Sequence, residues 1–378
     1  MKINNENGVK GIFLVIFCIS IFLFTRSNGY NILPFSNNIM LYLYSVIGSI
    51  VILYLSTSRI KLKAIDILCL VYFIYNLLWL LVTSKTKNIE TIYLFFFLAM
   101  LYINIRNISS IYYKYILYSF PFIVISHFIY YICWENPYYF LYEHKGVFTG
   151  FLHNSGLWGE FVAMTLICNI GLIHLNKKSK KTSTLLIFVS FIVSFMLYES
   201  DSRASWLSFA IGILTFFSPL IIKHLPKSII IRTGSLLILI CLCTYLISGL
   251  YSYKKDSADG RILIWKISLE MVKDKPILGY GFDGFRKNYM NYQAAYLQEK
   301  QLPETINNLA DDNHHAFNEF LRIIIEQGII GVIILFIFLT TIGYTIYKYK
   351  LYIDTVSRTI ISCLTALLFF SFFSYPLS

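Results

Sequence analysis

The sequence predicts an all-α protein, a polytopic bundle of transmembrane helices with one large helical loop outside the bilayer. Three observations carry that prediction. Hydrophobic residues make up 57% of the 378 positions and charged residues only 14%, where a soluble domain has about a quarter charged. Apolar runs recur along the chain, many of them near the roughly 20 residues a helix needs to cross a bilayer core. Between two of them, Tyr251 to Asn318 form a polar stretch of about 68 residues that collects most of the motif-like side chains. Backbone groups in lipid must be satisfied internally, which leaves helices and excludes open sheets.

Taken in order, the apolar windows mark eleven spans, near 11–25, 39–55, 64–82, 89–105, 111–133, 157–175, 184–200, 204–222, 233–251, 320–347 and 359–376. They divide the chain into spans 1–5 (1–133), an outer loop with spans 6–9 (134–251), the large loop (252–319) and the last spans (320–378). Lys and Arg in short loops set orientation. With the N-terminus inside, the short inner segments hold seventeen of them, and the short outer loops hold only Arg26, Lys85, Lys87, Lys145 and Arg203. That bias puts the N-terminus in the cytoplasm and 252–319 outside it. The net charge of +12 is therefore a topology signal, and no nucleic-acid partner is expected. The stretch from Met1 to Gly11 reads as the flank of the first span, not a cleaved signal. The seven cysteines contain no CxxC pair, and all but Cys133 lie well inside apolar runs, so they read as small packing residues.

The large loop should be mostly helical. From Arg261 to Asp274, the apolar residues Ile264, Trp265, Ile267, Met271 and Val272 fall on an amphipathic stripe, and Pro276 with the following glycines stops the helix. A second helix is expected over Phe285–Lys300, with Tyr289, Tyr292 and Tyr296 along one side. Gly279-Tyr280-Gly281 lacks the preceding strand a dinucleotide loop requires, so it reads as a hairpin between the two helices.

Four groups of residues suit chemistry. Arg203 follows Ser-Asp-Ser at the outer end of two paired spans; there an arginine either anchors the interface or grips a lipid-linked phosphate with its planar fork. Arg261 is expected at the start of the first loop helix, where the dipole disfavours a cation and an anion would explain it. Asp311-Asp312-Asn313-His314-His315 precedes the tenth span. Its acidic residues suit a helix cap, and a histidine suits a general base near neutral pH. Adjacent histidines point apart on a helix and no third ligand spacing is evident, so no metal and no cofactor are expected. Glu319, Arg322 and Glu326 recur on one side of the tenth span, as a mutual network or as substrate contacts. Of the remaining histidines, His127 reads as packing within a span. His153, at the outer mouth of the sixth span, either meets substrate or does not.

Three motifs now stand in order: Ser202-Arg203-Ala204; Gly260-Arg261 with Trp265, Pro276 and Gly279-x-Gly281; and His315-Ala316-Phe317-Asn318-Glu319-Phe320-Leu321 running to Glu326-x-Gly328 and Gly331. The pattern resembles the O-antigen ligase/polymerase superfamily of bacterial membrane glycosyltransferases. It covers about residues 198–335, with a weaker match over Gly146–Glu160.

The resemblance implies a GT-C-like helical fold in the bacterial cytoplasmic (inner) membrane, with an active site on the extracytoplasmic face. It implies a glycan donor on undecaprenyl diphosphate and a sugar hydroxyl as acceptor: lipid A–core for a ligase, a second lipid-linked repeat unit for a polymerase. Transfer would invert the anomeric centre without a metal. Arg203 and Arg261 match the family's motif arginines and would bind the diphosphate. His315 or His314 would be the catalytic base, with Trp265, Asn318, Glu319, Arg322 and His153 in support. The chain departs from the family in carrying Phe317 where a histidine often precedes the asparagine, and in showing eleven spans where ligases commonly have twelve. One large outer loop beside one of about 23 residues favours ligase over polymerase. A lipid-linked glycan transporter or flippase, the alternative from another class, should show midplane charges or repeated halves, and neither is visible.

Overall fold

The computed structural model describes residues 63–83, 110–130, 149–152, 154–224, 248–300 and 303–376, with a few isolated positions between. Every regular element among the described residues is helical, with no strand among them. The expected spans at 11–25 and 39–55 lie outside them, as do nearly all of 89–105 and 233–251 and most of the loop after residue 133.

Nine helices of eight or more residues are described: α1 (Ala64–Thr83), α2 (Tyr113–Tyr130), α3 (Ser155–Leu175), α4 (Lys180–Glu199), α5 (Arg203–His224), α6 (Lys255–Asp274), α7 (Gly284–Lys300), α8 (Glu319–Lys348) and α9 (Thr355–Phe370). Five of them, α1, α3, α4, α5 and α8, are long and apolar enough to cross a bilayer; α9 is apolar but shorter. The protein is a multi-pass membrane protein. Boundaries fall within four residues of the sequence expectation for each described span but the last, expected over 359–376 and found as Thr355–Phe370, where Asp354 caps the start and the chain turns out of the helix at Ser371. Asn154 caps α3, accepting from the Leu157 amide (3.0 Å), and Asp354 caps α9, accepting from Ser357 (2.8 Å).

α3 is the axis of the bundle. It packs against α2, α4, α5 and α9, and Trp158, Val162, Ala163 and Ile167 along it are fully buried. His127 sits inside α2 with its ring edge-on to Trp158 at 6.1 Å, a packing histidine as the sequence suggests. Cys168 and Cys363 face each other between α3 and α9 as thiols (Sγ–Sγ 3.6 Å).

A second, smaller core joins α6 and α7 to the start of α8. Leu263, Ile264, Ile267 and Met271 of α6 meet Phe285 and Tyr289 of α7, with Ala316 and Ile325. This is the stripe the sequence marks, and full burial of each such side chain contributes roughly 1.5–3 kcal/mol. α6 starts at Lys255, earlier than its apolar residues indicate.

α8 is broken at Gly328, whose φ of 63° and ψ of −165° lie outside the helical region. The hairpin between α6 and α7 fills the break. The Tyr280 and Gly281 amides donate to the carbonyls of Ile325 (2.8 Å) and Glu326 (2.9 Å), and the Ile329 amide donates to Pro276 (2.9 Å). From α1, Trp79 Nε1 also donates to Glu326 O (3.0 Å) and Tyr75 Oη to Gln327 O (3.0 Å). A break inside a span is tolerated only where the freed backbone groups find partners, and here loop and neighbouring span supply them. Gly279, at φ 69°, passes so close that a Cβ would meet Ile325 O at 2.5 Å.

Candidate active site

Arg203 is the first residue of α5, after a tight turn in which Asp201 takes a positive φ of 49°. The segment leading into α6 is fastened to that turn. Lys254 Nζ pairs with Asp201 Oδ2 (2.5 Å), and Tyr253 Oη donates to Asp201 Oδ1 (3.1 Å). The fastening carries α6 past the N-terminal end of α5. Arg203 and Arg261 accordingly line one cavity of about 220 Å³, with Leu207, Leu250, Trp265 and Phe373 among its walls.

Both guanidinium groups are held by backbone carbonyls. Arg203 Nη1 donates to Leu250 O (2.5 Å) and Arg261 Nη1 to Phe373 O (2.6 Å). Neither arginine forms an ion pair among the described residues. Arg261 also stands over the Phe317 ring, 5.2 Å from its centroid. Burial pushes its pKa below the usual arginine value, and the nearby Arg203 cation pushes the same way. Arginine nevertheless stays charged at any physiological pH. Two cations share a partly apolar cavity, and among the described residues neither pairs directly with an acid, although Asp201 lies near enough to Arg203 to act on its charge; such a cavity suits an anion.

Arg261 is the seventh residue of α6, not its first. The expectation of a cation at a helix N-terminus is therefore corrected; its placement follows from the face it shares with Trp265. Trp265 donates from Nε1 to Ala316 O (3.0 Å) and so pins the segment that carries the histidines. The cap of α8 is likewise corrected. Asn318, not Asp311 or Asp312, closes the helix, its Oδ1 accepting from the Leu321 amide (3.1 Å). Phe317, just before it, has a positive φ of 50°, a conformation costly for a bulky residue.

The two histidines part. His314 is exposed, with Nε2 3.6 Å from Asp312 Oδ2. His315 is half-buried and lies flat against Tyr375, ring centroids 3.9 Å apart and planes within 3°. Burial lowers the His315 pKa, and the charges of Arg322, His314 and Arg286 lower it further, against a smaller opposing effect of Asp283. Its neutral, proton-accepting form is the one favoured.

Glu319, Arg322 and Glu326 form a ladder on α8. Arg322 Nε donates to Glu319 Oε2 (2.7 Å), and Nη1 lies 3.6 Å from Glu326 Oε2. Both carboxylates are buried, so Arg322 is occupied by two acids where Arg203 and Arg261 form no ion pair among the described residues. His153 lies outside the described residues. Its neighbour Asn154 reaches the site, donating from Nδ2 to the Tyr375 hydroxyl (2.6 Å). Among the described residues no three His, Cys, Asp or Glu side chains converge as a metal site would require. Sequence reading missed Tyr375 and the carbonyls of Leu250 and Phe373. Backbone acceptors carry no side-chain signal, and a tyrosine after an apolar run looks like an ordinary interface residue.

Fold and site together define a multi-pass helical membrane protein with a cationic cavity and, in the loop before α8, a half-buried histidine. Residues 188–336 match the family model described as O-antigen ligase. A protein of Rickettsia conorii provisionally named a polysaccharide ligase is 34% identical over 175 residues, covering 44% of this chain and 40% of the relative. A similarly named protein of Rickettsia typhi is 32% identical over 193 residues, covering 49% and 44%. An uncharacterized protein of Haemophilus influenzae is 28% identical over 193 residues, covering 46% of each chain. The match thus spans less than half the length of these relatives. No solved structure gives a significant match.

Proposed function

We propose that the protein is an inverting membrane glycosyltransferase that moves a glycan from undecaprenyl diphosphate to a sugar hydroxyl, with lipid A–core as the favoured acceptor. The observation that carries the reading is the cavity shared by Arg203 and Arg261, two cations with carbonyl partners and no ion pair among the described residues. In the reaction the acceptor oxygen forms a bond to the anomeric carbon while the bond from that carbon to the diphosphate oxygen breaks. Diphosphate is a good leaving group, so stabilising its developing charge and removing the acceptor proton are the main tasks. The arginines hold the diphosphate, and their charge is what a metal ion would otherwise contribute. His315, held neutral, takes the hydroxyl proton. The apolar walls Leu207, Leu250 and Phe373 suit the first units of a prenyl chain. The site faces the extracytoplasmic side of the cytoplasmic membrane, consistent with the Lys and Arg bias of the short loops.

The match to polysaccharide ligases in name supports ligase over repeat-unit polymerase. A glycan gel of a host lacking the gene separates them. Loss of the whole capped ladder, with polymer accumulating on undecaprenyl diphosphate, marks a ligase. Lipid A–core capped by a single repeat unit marks a polymerase, and an unchanged profile removes both readings.

A further inference from the structure

The segment after α9, residues 371–376, builds part of the site although none of the motifs points to it. The Ser371 carbonyl accepts from the Glu319 amide (2.9 Å). The Phe373 carbonyl holds Arg261. Tyr375 lies flat on His315, and Phe317 meets the same tyrosine ring edge-on at 5.2 Å. The tyrosine is itself tethered, because Asn154 donates to its hydroxyl while the Asn154 Oδ1 caps α3. One ring thus connects the most buried helix of the bundle to the histidine on the loop. A histidine before a helix cap has two side-chain torsions to order, and proton transfer needs its lone pair held in a reactive geometry.

We propose that Tyr375 is a positioning residue for His315, fixing the imidazole plane from a ring anchored on Asn154; this rests on the reading of His315 as the base. The groups facing His315 are Arg322 of α8, Arg286 of α7, His314 and Asp283, and Arg261 of α6 faces Tyr375. A substitution at Tyr375 removes none of these charges, so a shifted His315 titration reports the lost cover of the Tyr375 ring.

The test uses the full chain purified in detergent with isotope-labelled histidine. The His315 titration is read by NMR, its signal assigned by loss in His315→Gln. Transfer is measured with undecaprenyl-diphosphate-linked host glycan and lipid A–core. Tyr375→Leu should raise the His315 pKa and lower kcat about 100-fold with the donor KM nearly unchanged. Tyr375→Phe, which keeps the ring, should restore most of kcat. Should Tyr375→Leu fail to fold, Asn154→Ser keeps a capping oxygen but drops the tether, and should move both readouts the same way by less. A titration and kcat that do not move, a titration that moves without kcat, or a loss confined to KM would each overturn the proposal. The titration needs no turnover, so absence of transfer in the unaltered protein refutes the functional reading separately. Full activity of His315→Gln refutes the base.

Discussion

A Cβ on Gly328 would stand 2.0 Å from the carbonyl oxygen of Ile277. The broken span α8 and the hairpin that fills its break are therefore shaped to each other atom by atom. Gly328→Ala meets both the clash and a backbone region that is essentially glycine-only, where strain alone costs about 1–3 kcal/mol. Thermal melting in detergent should show a marked loss of stability, whereas Gly343→Ala, which has open space around it, should not. Equal melting of the two variants would contradict the fitted break.

Replacing either cavity arginine should abolish most transfer. Arg203→Ala or Arg261→Ala should lower kcat by about 10²–10³-fold, the usual cost of losing one donor to a developing anion. Lysine should rescue poorly, because it lacks the bidentate fork. Initial rates with the lipid-linked donor measure this, and full rescue by lysine would show that point charge suffices.

The pH dependence follows from His315. Its pKa in the folded protein lies below the ordinary value of about 6.5, because of burial and neighbouring cations. The base is active when neutral, so kcat/KM should hold from neutral pH down past the ordinary histidine range. It should then fall as acid protonates the ring. The stability linkage has the same sign. Between the folded and unfolded pKa values the unfolded chain binds the extra proton, so this histidine's contribution is full above the unfolded value and is lost as pH falls through the folded one. A kcat/KM profile with its acid limb above the ordinary histidine value would contradict the assignment.

Asp201 should act on substrate binding more than on folding. Its pair with Lys254 is partly exposed on both sides, so the pair itself contributes little, about 0–1 kcal/mol. Asp201→Gly keeps the positive-φ backbone but removes the carboxylate that holds Lys254 and Tyr253. The donor KM should rise severalfold with the melting temperature nearly unchanged. A lost fold with unchanged KM would reverse that assignment.

Arg322 should behave oppositely to Arg261. Arg322→Ala leaves Glu319 and Glu326 buried without their cation, a change that costs about 3–5 kcal/mol. The variant should melt early in detergent or fail to accumulate. Normal stability with lost transfer would move Arg322 from the scaffold to the substrate.

Much of the framework was legible because its signals are local. The stripe Ile264, Ile267 and Met271 repeats with helical period and is the buried face of α6. The first turn and a half of α6, from Lys255 to Gly260, has no such stripe, so Arg261 reads falsely as a helix start. Asp311 and Asp312 have the chemistry of a cap, yet the α8 backbone begins at Asn318, and position relative to the first helical turn decides. Tyr375 and His315 are 60 positions apart, and the Gly279 hairpin meets α8 across 45 to 53. Only the packed chain brings such partners together.

The filled break in α8 also has a metrical consequence. The hairpin and α1 clamp the carbonyls of Ile325, Glu326 and Gln327, and the same hairpin ends the helix that carries Arg261. Any sliding of the span along the bilayer normal must move the arginine cavity by the same amount. The break thus couples the position of the span to that of the cavity. On the proposed reading, a donor anchored by its own lipid tail would then be met at one fixed distance from the break.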